Sequence, residues 1–188
     1  MNRGALSAGW ILNLFAAAAS LKSVKRKGWV LRGVKNAESV ADHSLAVAVL
    51  SAAIAASRGL DPGKAALIAV LHDLVESVIG DLTPDEKASM GETKLREVER
   101  QAIERLTGDA PEEVKRVILQ SLRDYEEGSS EEGRIVREVD KLEMALQALV
   151  YRDELGDSGV KEFISSALSE LKDPEIRSLV EEVSGVAL

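Results

Sequence analysis

The chain has no cysteine. Disulfide scaffolds, cysteine-ligated zinc fingers, cysteine-held iron–sulfur clusters and cysteine nucleophiles are therefore excluded together. The absence also fits a reducing compartment, so a cytoplasmic location is expected. Aromatics make up 3% of the 188 residues, which leaves Ala, Leu, Val and Ile to build the core. That composition favours helices over a β-sandwich. Histidine occurs only twice and proline only four times. Basic charge is also short: the net charge is −8, which argues against binding a nucleic-acid polymer. The one N-terminal apolar stretch, Leu6 to Leu21, is short and broken by Gly9 and Asn13, so no membrane association is expected.

What is present is globular in character, with 45% hydrophobic and 30% charged residues. The stretch after Arg3 imitates a signal peptide, with small residues from Ala16 to Ser20. It also places Leu6, Trp10, Leu14 and Ala17 along one helical face, and that helical reading is the one adopted. Helix starts then follow at intervals. Ser39 to Asp42 resembles a capping box and leads an apolar run to Ser57. Asp61-Pro62 opens a helix that is apolar nearly all round and expected to be buried on most sides, with Gly80 just past its end. Thr83 to Glu86, Pro111, Ser129 to Glu132 and Asp173-Pro174 open further helices, and Val160 to Leu171 form another. The expected fold is an all-α helical bundle spanning 1–188 as one domain, with a chemistry-bearing core at 21–151 and C-terminal helices at about 158–185.

Both histidines, His43 and His72, fall in these apolar helices, where a polar ring must find a partner. His72 is followed by Asp73, Glu76 and Asp81. On a continuous helix, His72 and Asp73 share a face with Glu76. Asp140 stands between apolar neighbours in the helix after Ser130. Burying several carboxylates with no Lys or Arg beside them is costly. A divalent cation removes that cost, and imidazole with carboxylate is a usual ligand mixture. A separate feature is a basic island of six Lys and Arg from Lys22 to Lys35 with no acid among them, suited to a small anionic ligand.

The order His43, His72-Asp73, Asp140 resembles the H…HD…D signature of HD-domain metal-dependent phosphohydrolases. Gly28 to Val34, Glu38 to Ser44 and His72 to Asp81 resemble the blocks of the 5′-deoxynucleotidase branch of that family. The similarity runs from about Leu21 to Tyr151. It implies a single HD-domain bundle that holds one divalent ion (Co²⁺, Mn²⁺, Mg²⁺, Zn²⁺ or Ni²⁺) on His43, His72, Asp73 and Asp140. It also implies Glu76 and Asp81 beside the attacking water and substrate, Arg26 on the phosphate, and Trp29 against the sugar, excluding a 2′-hydroxyl. The Arg-x-Gly-Trp pattern at 26–29 supports Arg26, with the adjacent Lys25 and Lys27 as the alternatives for the phosphate contact. The implied enzyme is a homodimeric phosphomonoesterase acting on a small nucleotide, the deoxyribonucleoside 5′-monophosphates. Two alternatives stand beside it. One is another mononuclear HD-type phosphohydrolase, acting on a nucleoside triphosphate, a cyclic dinucleotide or an alarmone. The other is a non-catalytic helical binding module with a structural metal.

Overall fold

Side-chain caps and prolines set the helix starts in the computed structural model, which describes residues 8–187. Ser39 Oγ accepts from the Asp42 amide (3.2 Å) and Asp42 Oδ2 from the Ser39 amide (2.8 Å), closing a capping box. Asp61 Oδ1 accepts from the amides of Gly63 and Lys64 at 2.8 and 3.0 Å, with Pro62 in the first turn. Thr83 and Glu86 form a second box. Eleven helices result among the described residues: α1 Ala8–Leu21, α2 Lys27–Leu31, α3 Val40–Ser57, α4 Pro62–Leu71, α5 Glu76–Ile79, α6 Pro84–Met90, α7 Glu92–Thr107, α8 Glu112–Glu127, α9 Glu131–Val150, α10 Arg152–Glu170 and α11 Pro174–Ala187. No strand is present among these residues, only one bridge between Lys25 and Ser39. Arg3 and Leu6 lie outside the described residues. The rest of the proposed N-terminal face is α1, with Ala17 and Leu21 buried.

The all-α expectation holds, and α9 is its organising element, packing against α3, α4, α8, α10 and α11. The central layer joins Val47 and Ala55 of α3, Ala65, Ile68 and Ala69 of α4, and Val136, Val139 and Leu142 of α9. Alanines at the α3–α4 contact let the two backbones approach closely, which is how an aromatic-poor chain reaches dense packing. A second layer sets α1, α7 and α8 over the start of α3 through Leu21, Val40, Leu106 and Leu122. Helix α3 is long and apolar enough by composition to cross a membrane. In this structure its inner face is buried against α4 and α9.

Two expectations about the helix after Pro62 are corrected. It is not continuous to Gly80. It ends at Leu71, and a tighter turn follows, held by bonds from the Leu74 amide to the Leu71 carbonyl and from the Glu76 amide to the Asp73 carbonyl, each 3.0 Å. His72 and Val75 keep right-handed helical angles, so the apolar pattern runs through the break unmarked. Nor is the helix buried on most sides: Leu67 and Val70 are exposed. With Leu45 of α3 they border an apolar cleft of about 720 Å³ that α1 and α8 also line.

At the α8–α9 crossing, a Cβ on Gly133 would stand 2.1 Å from the Asp124 carbonyl oxygen. Backbone would have to move to admit it. Gly133→Ala is expected to lower stability by about 1–3 kcal/mol in chemical denaturation. Gly185→Ala, whose new methyl meets nothing within 4 Å, is expected to cost nothing.

Candidate metal centre

Three helices deliver the site. One residue past the capping box, α3 turns His43 inward with no exposed surface. The turn after α4 presents His72 and Asp73, and α9 presents Asp140. His43 Nε2 stands 3.1 Å from Asp140 Oδ1 and 3.7 Å from Asp73 Oδ2, and His72 Nε2 stands 3.1 Å from the same Asp73 oxygen. The structure thus brings together all four positions singled out as ligands.

The other ring nitrogens fix the tautomers. His72 Nδ1 lies 2.6 Å from the Ala69 carbonyl, which can only accept, so Nδ1 carries a hydrogen. His43 Nδ1 lies 2.7 Å from Glu143 Oε2. Both Nε2 lone pairs therefore face the carboxylates. Both Nε2 atoms, with Asp73 Oδ2 and Glu76 Oε2, are buried and have no hydrogen-bond partner. Such a set of unpartnered atoms is costly unless a cation takes them. The donor set of two imidazoles and two carboxylates fits a divalent ion. His43 also belongs to a second acidic cluster with Glu38 and Glu143. There its Nδ1 is already bonded to Glu143, and Glu38 Oε1 accepts from Trp29 Nε1 at 2.9 Å. The cluster with unsatisfied atoms is the one whose donors are free for a cation, and Glu143 is the partner that orients His43.

Without a cation the site draws in a proton instead. Burial and Arg26 act to lower the His43 pKa, but Asp140 and Glu143 prevail and push it up to about 10. Burial, then the charges of Asp73 and Asp81, push Glu76 up to about 9, so its carboxyl is protonated at neutral pH. Asp140 is held well below the ordinary carboxylate range: burial opposes this, but the adjacent His43 ring and Lys141 outweigh it. The acids are not without cations, contrary to expectation. Arg26 stands 3.7 Å from Asp73 and 3.9 Å from Asp81, and Lys141 stands 3.3 Å from Asp140 Oδ2.

The basic island mostly serves other ends. Lys25 donates to the Ala37 carbonyl at 2.7 Å, Lys27 pairs with Glu86 and Arg32 with Glu162. Among Lys25, Arg26 and Lys27, Arg26 is the one that faces the centre. It is aimed there because the 24–26 segment is pinned to the start of α3: the Arg26 amide bonds the Glu38 carbonyl (3.1 Å) and the Val40 amide bonds the Val24 carbonyl (2.8 Å). Asp81, placed by Gly80 (φ +79°), accepts from the Lys27 amide.

Trp29 departs from its expected place against a sugar. It is 3% exposed, its indole N–H is spent on Glu38, and its ring packs on Tyr151 and Phe163 at centroid distances of 5.3 and 4.1 Å. Buried Glu38 needs a donor, and the indole supplies it. Three further residues at the centre went unread in the sequence. Glu143 follows Asp140 by three residues on one face of α9, a spacing that could have revealed it. Tyr125, whose hydroxyl donates to Asp140 Oδ2 at 2.8 Å, and Glu38 carried no readable signal.

This helical bundle, with His43, His72-Asp73 and Asp140 converging from three elements, defines the class. The chain belongs to the HD-domain family, whose model, described as HD domain, matches residues 18–180. The match reaches beyond Tyr151, where the sequence resemblance stopped, into the C-terminal helices. Among its relatives, the chain is 33% identical over 174 residues to 5′-deoxynucleotidase HDDC2 of Homo sapiens, covering 92% of this chain and 84% of that one. It is 32% identical over 160 residues to 5′-deoxynucleotidase YGK1 of Saccharomyces cerevisiae, covering 84% and 74%. A conserved hypothetical protein from Pyrococcus furiosus superposes with a TM-score of 0.72 at 32% identity, covering 92% and 98%.

One oxygen of Asp73, Oδ2, faces both imidazoles, 3.1 Å from His72 Nε2 and 3.7 Å from His43 Nε2. Asp73→Ala is expected to abolish stoichiometric metal binding in calorimetric titration while the helical circular dichroism is kept. Undiminished binding would remove Asp73 from the ligand set.

Proposed function

We propose that the chain is a metal-dependent phosphomonoesterase that hydrolyses deoxyribonucleoside 5′-monophosphates to deoxynucleosides and phosphate. The observation that carries this reading is the juxtaposition of the unpartnered ligand set with a phosphate-suited guanidinium, Arg26, and a buried carboxyl, Glu76, whose Oε2 has no partner. The names of the relatives agree with it. A divalent ion on His43, His72, Asp73 and Asp140 supplies an acidified water and offsets charge at phosphorus.

The rest is done by the chain's own side chains. Arg26 offers paired N–H donors to phosphate oxygens. Asp73 and Asp81 hold that guanidinium in place before substrate arrives, so little ordering remains to be done on binding. As water bonds to phosphorus, the P–O5′ bond breaks and the 5′ oxygen leaves with charge that needs a proton. Glu76, whose Oε2 is buried and free of hydrogen bonds, is placed to supply it, and the proton lost by the attacking water restores it. Oxygen and nitrogen ligands together suit Mn²⁺, Co²⁺, Ni²⁺, Zn²⁺ or Mg²⁺, and a metal panel decides among them.

The protein is further proposed to act as a cytoplasmic homodimer. The exposed apolar side chains of Leu45, Val49, Leu67 and Val70 support self-association. The burial of Trp29 favours a second reading for the sugar, a nucleotidase indifferent to the 2′ position.

Phosphate release across 2′-deoxy and ribonucleoside monophosphates tests both readings. Faster turnover of the deoxy series is expected, and equal rates select the general nucleotidase. Glu76→Gln is expected to keep one bound metal and lose about 10²–10⁴-fold in kcat. Normal turnover in that variant would transfer the proton-donating role to Asp81.

A further inference from the structure

We propose that Tyr125 is a positioning residue for the metal centre: its hydroxyl occupies Asp140 Oδ2, so that Asp140 meets the ion through Oδ1 alone. The inference rests on the metal-centre reading above and extends it to a residue outside the ligand set. Asp140 presents its two oxygens to different surroundings. Oδ1 stands 3.1 Å from His43 Nε2, inside the ligand cluster. Oδ2 accepts the Tyr125 hydroxyl at 2.8 Å and has Lys141 Nζ at 3.3 Å.

A carboxylate can bind a cation through one oxygen or through both. With Oδ2 already holding the Tyr125 hydroxyl and Lys141 beside it, that oxygen is the weaker donor to a cation, and the two-oxygen mode weakens a buried hydrogen bond. The one-oxygen mode leaves more of the ion's coordination sphere for water and substrate.

Tyr125 also constrains a second ligand. Its ring lies 4.9 Å from the His72 ring, centroid to centroid, at an interplanar angle of 56°. One side chain on α8 thus touches ligands carried by α9 and by the turn after α4. Its own position is fixed by the tightest backbone approach in that region, where Gly133 of α9 admits the carbonyl of Asp124, the residue before Tyr125. Lys141 is the lesser holder, since it is shared with Glu170, also at 3.3 Å.

Co²⁺ titration of the full chain, followed by calorimetry and visible absorption, tests the proposal without any turnover. Tyr125→Phe keeps the ring against His72 and removes only the hydroxyl. Affinity is expected to fall about 10–100-fold, as for other partners of metal ligands. The cobalt band is expected to shift and weaken as Asp140 takes up the ion with both oxygens. Lys141→Gln, which keeps the hydroxyl, is expected to retain the wild-type band. A Tyr125→Phe spectrum and affinity equal to wild type overturn the proposal, as does a band that changes in Lys141→Gln alone. Wild-type protein that binds no Co²⁺ overturns the metal-centre reading itself, a distinct result.

Should Tyr125→Phe not fold, Tyr151→Phe leaves Tyr125 as the sole tyrosine. Adding colourless Zn²⁺ to that protein is then expected to shift the tyrosine near-ultraviolet band, because charge drawn from Asp140 weakens its bond to the hydroxyl. No shift on stoichiometric binding overturns the proposal.

Discussion

Two imidazole nitrogens and two carboxylates face one another in a largely buried cluster, and the rest of the bundle is arranged around that constraint. Such a group of acceptors is stable only if something positive stands among them. The bundle meets this need with elements far apart in sequence. The α3 capping box leads to His43, the tightened turn after α4 carries His72 and Asp73, and α9 brings Asp140. Alanines between α3 and α4 bring the first two close, and Gly133 seats α8 against α9. Glu143 and the Ala69 carbonyl then fix which nitrogen of each ring looks inward.

Charge around the centre is graded rather than uniform. Arg26 lies between Asp73 and Asp81 on the substrate side, and Lys141 lies beyond Asp140 on the far side. Neither occupies the middle, so both neutralise excess acid without filling the cation's place. Glu76 is the acid left over. In the metal-free site, burial and the carboxylates of Asp73 and Asp81 outweigh Arg26 and Lys87 and raise its pKa. A metal ion lowers that pKa again, so the same carboxyl can release its proton during the reaction.

Most of the architecture was legible in the sequence, because helix starts announce themselves locally. Capping residues and prolines at Ser39, Asp61-Pro62, Thr83-Pro84 and Asp173-Pro174 all stand where helices begin. The clustering of His43, His72, Asp73 and Asp140 was legible because histidines are scarce and both lie among apolar residues. The break at Leu71 was not, since no glycine or proline marks it and the angles at His72 stay helical. Tyr125 was equally hidden, as its partner lies across the α8–α9 turn and no periodicity links the two. Trp29 shows the reverse failure. The family resemblance implied a contact with the sugar, while in the structure the indole is spent on Glu38.

The central claim is that one cation sits among the two Nε2 atoms and the two aspartates. A crystal of the Co²⁺-loaded protein, measured for anomalous scattering at the cobalt edge, tests it most directly. One peak per chain is expected, about 2.0–2.2 Å from His43 Nε2, His72 Nε2 and oxygens of Asp73 and Asp140. A peak between Glu38, His43 Nδ1 and Glu143 instead, or no peak from protein saturated with cobalt, would contradict it.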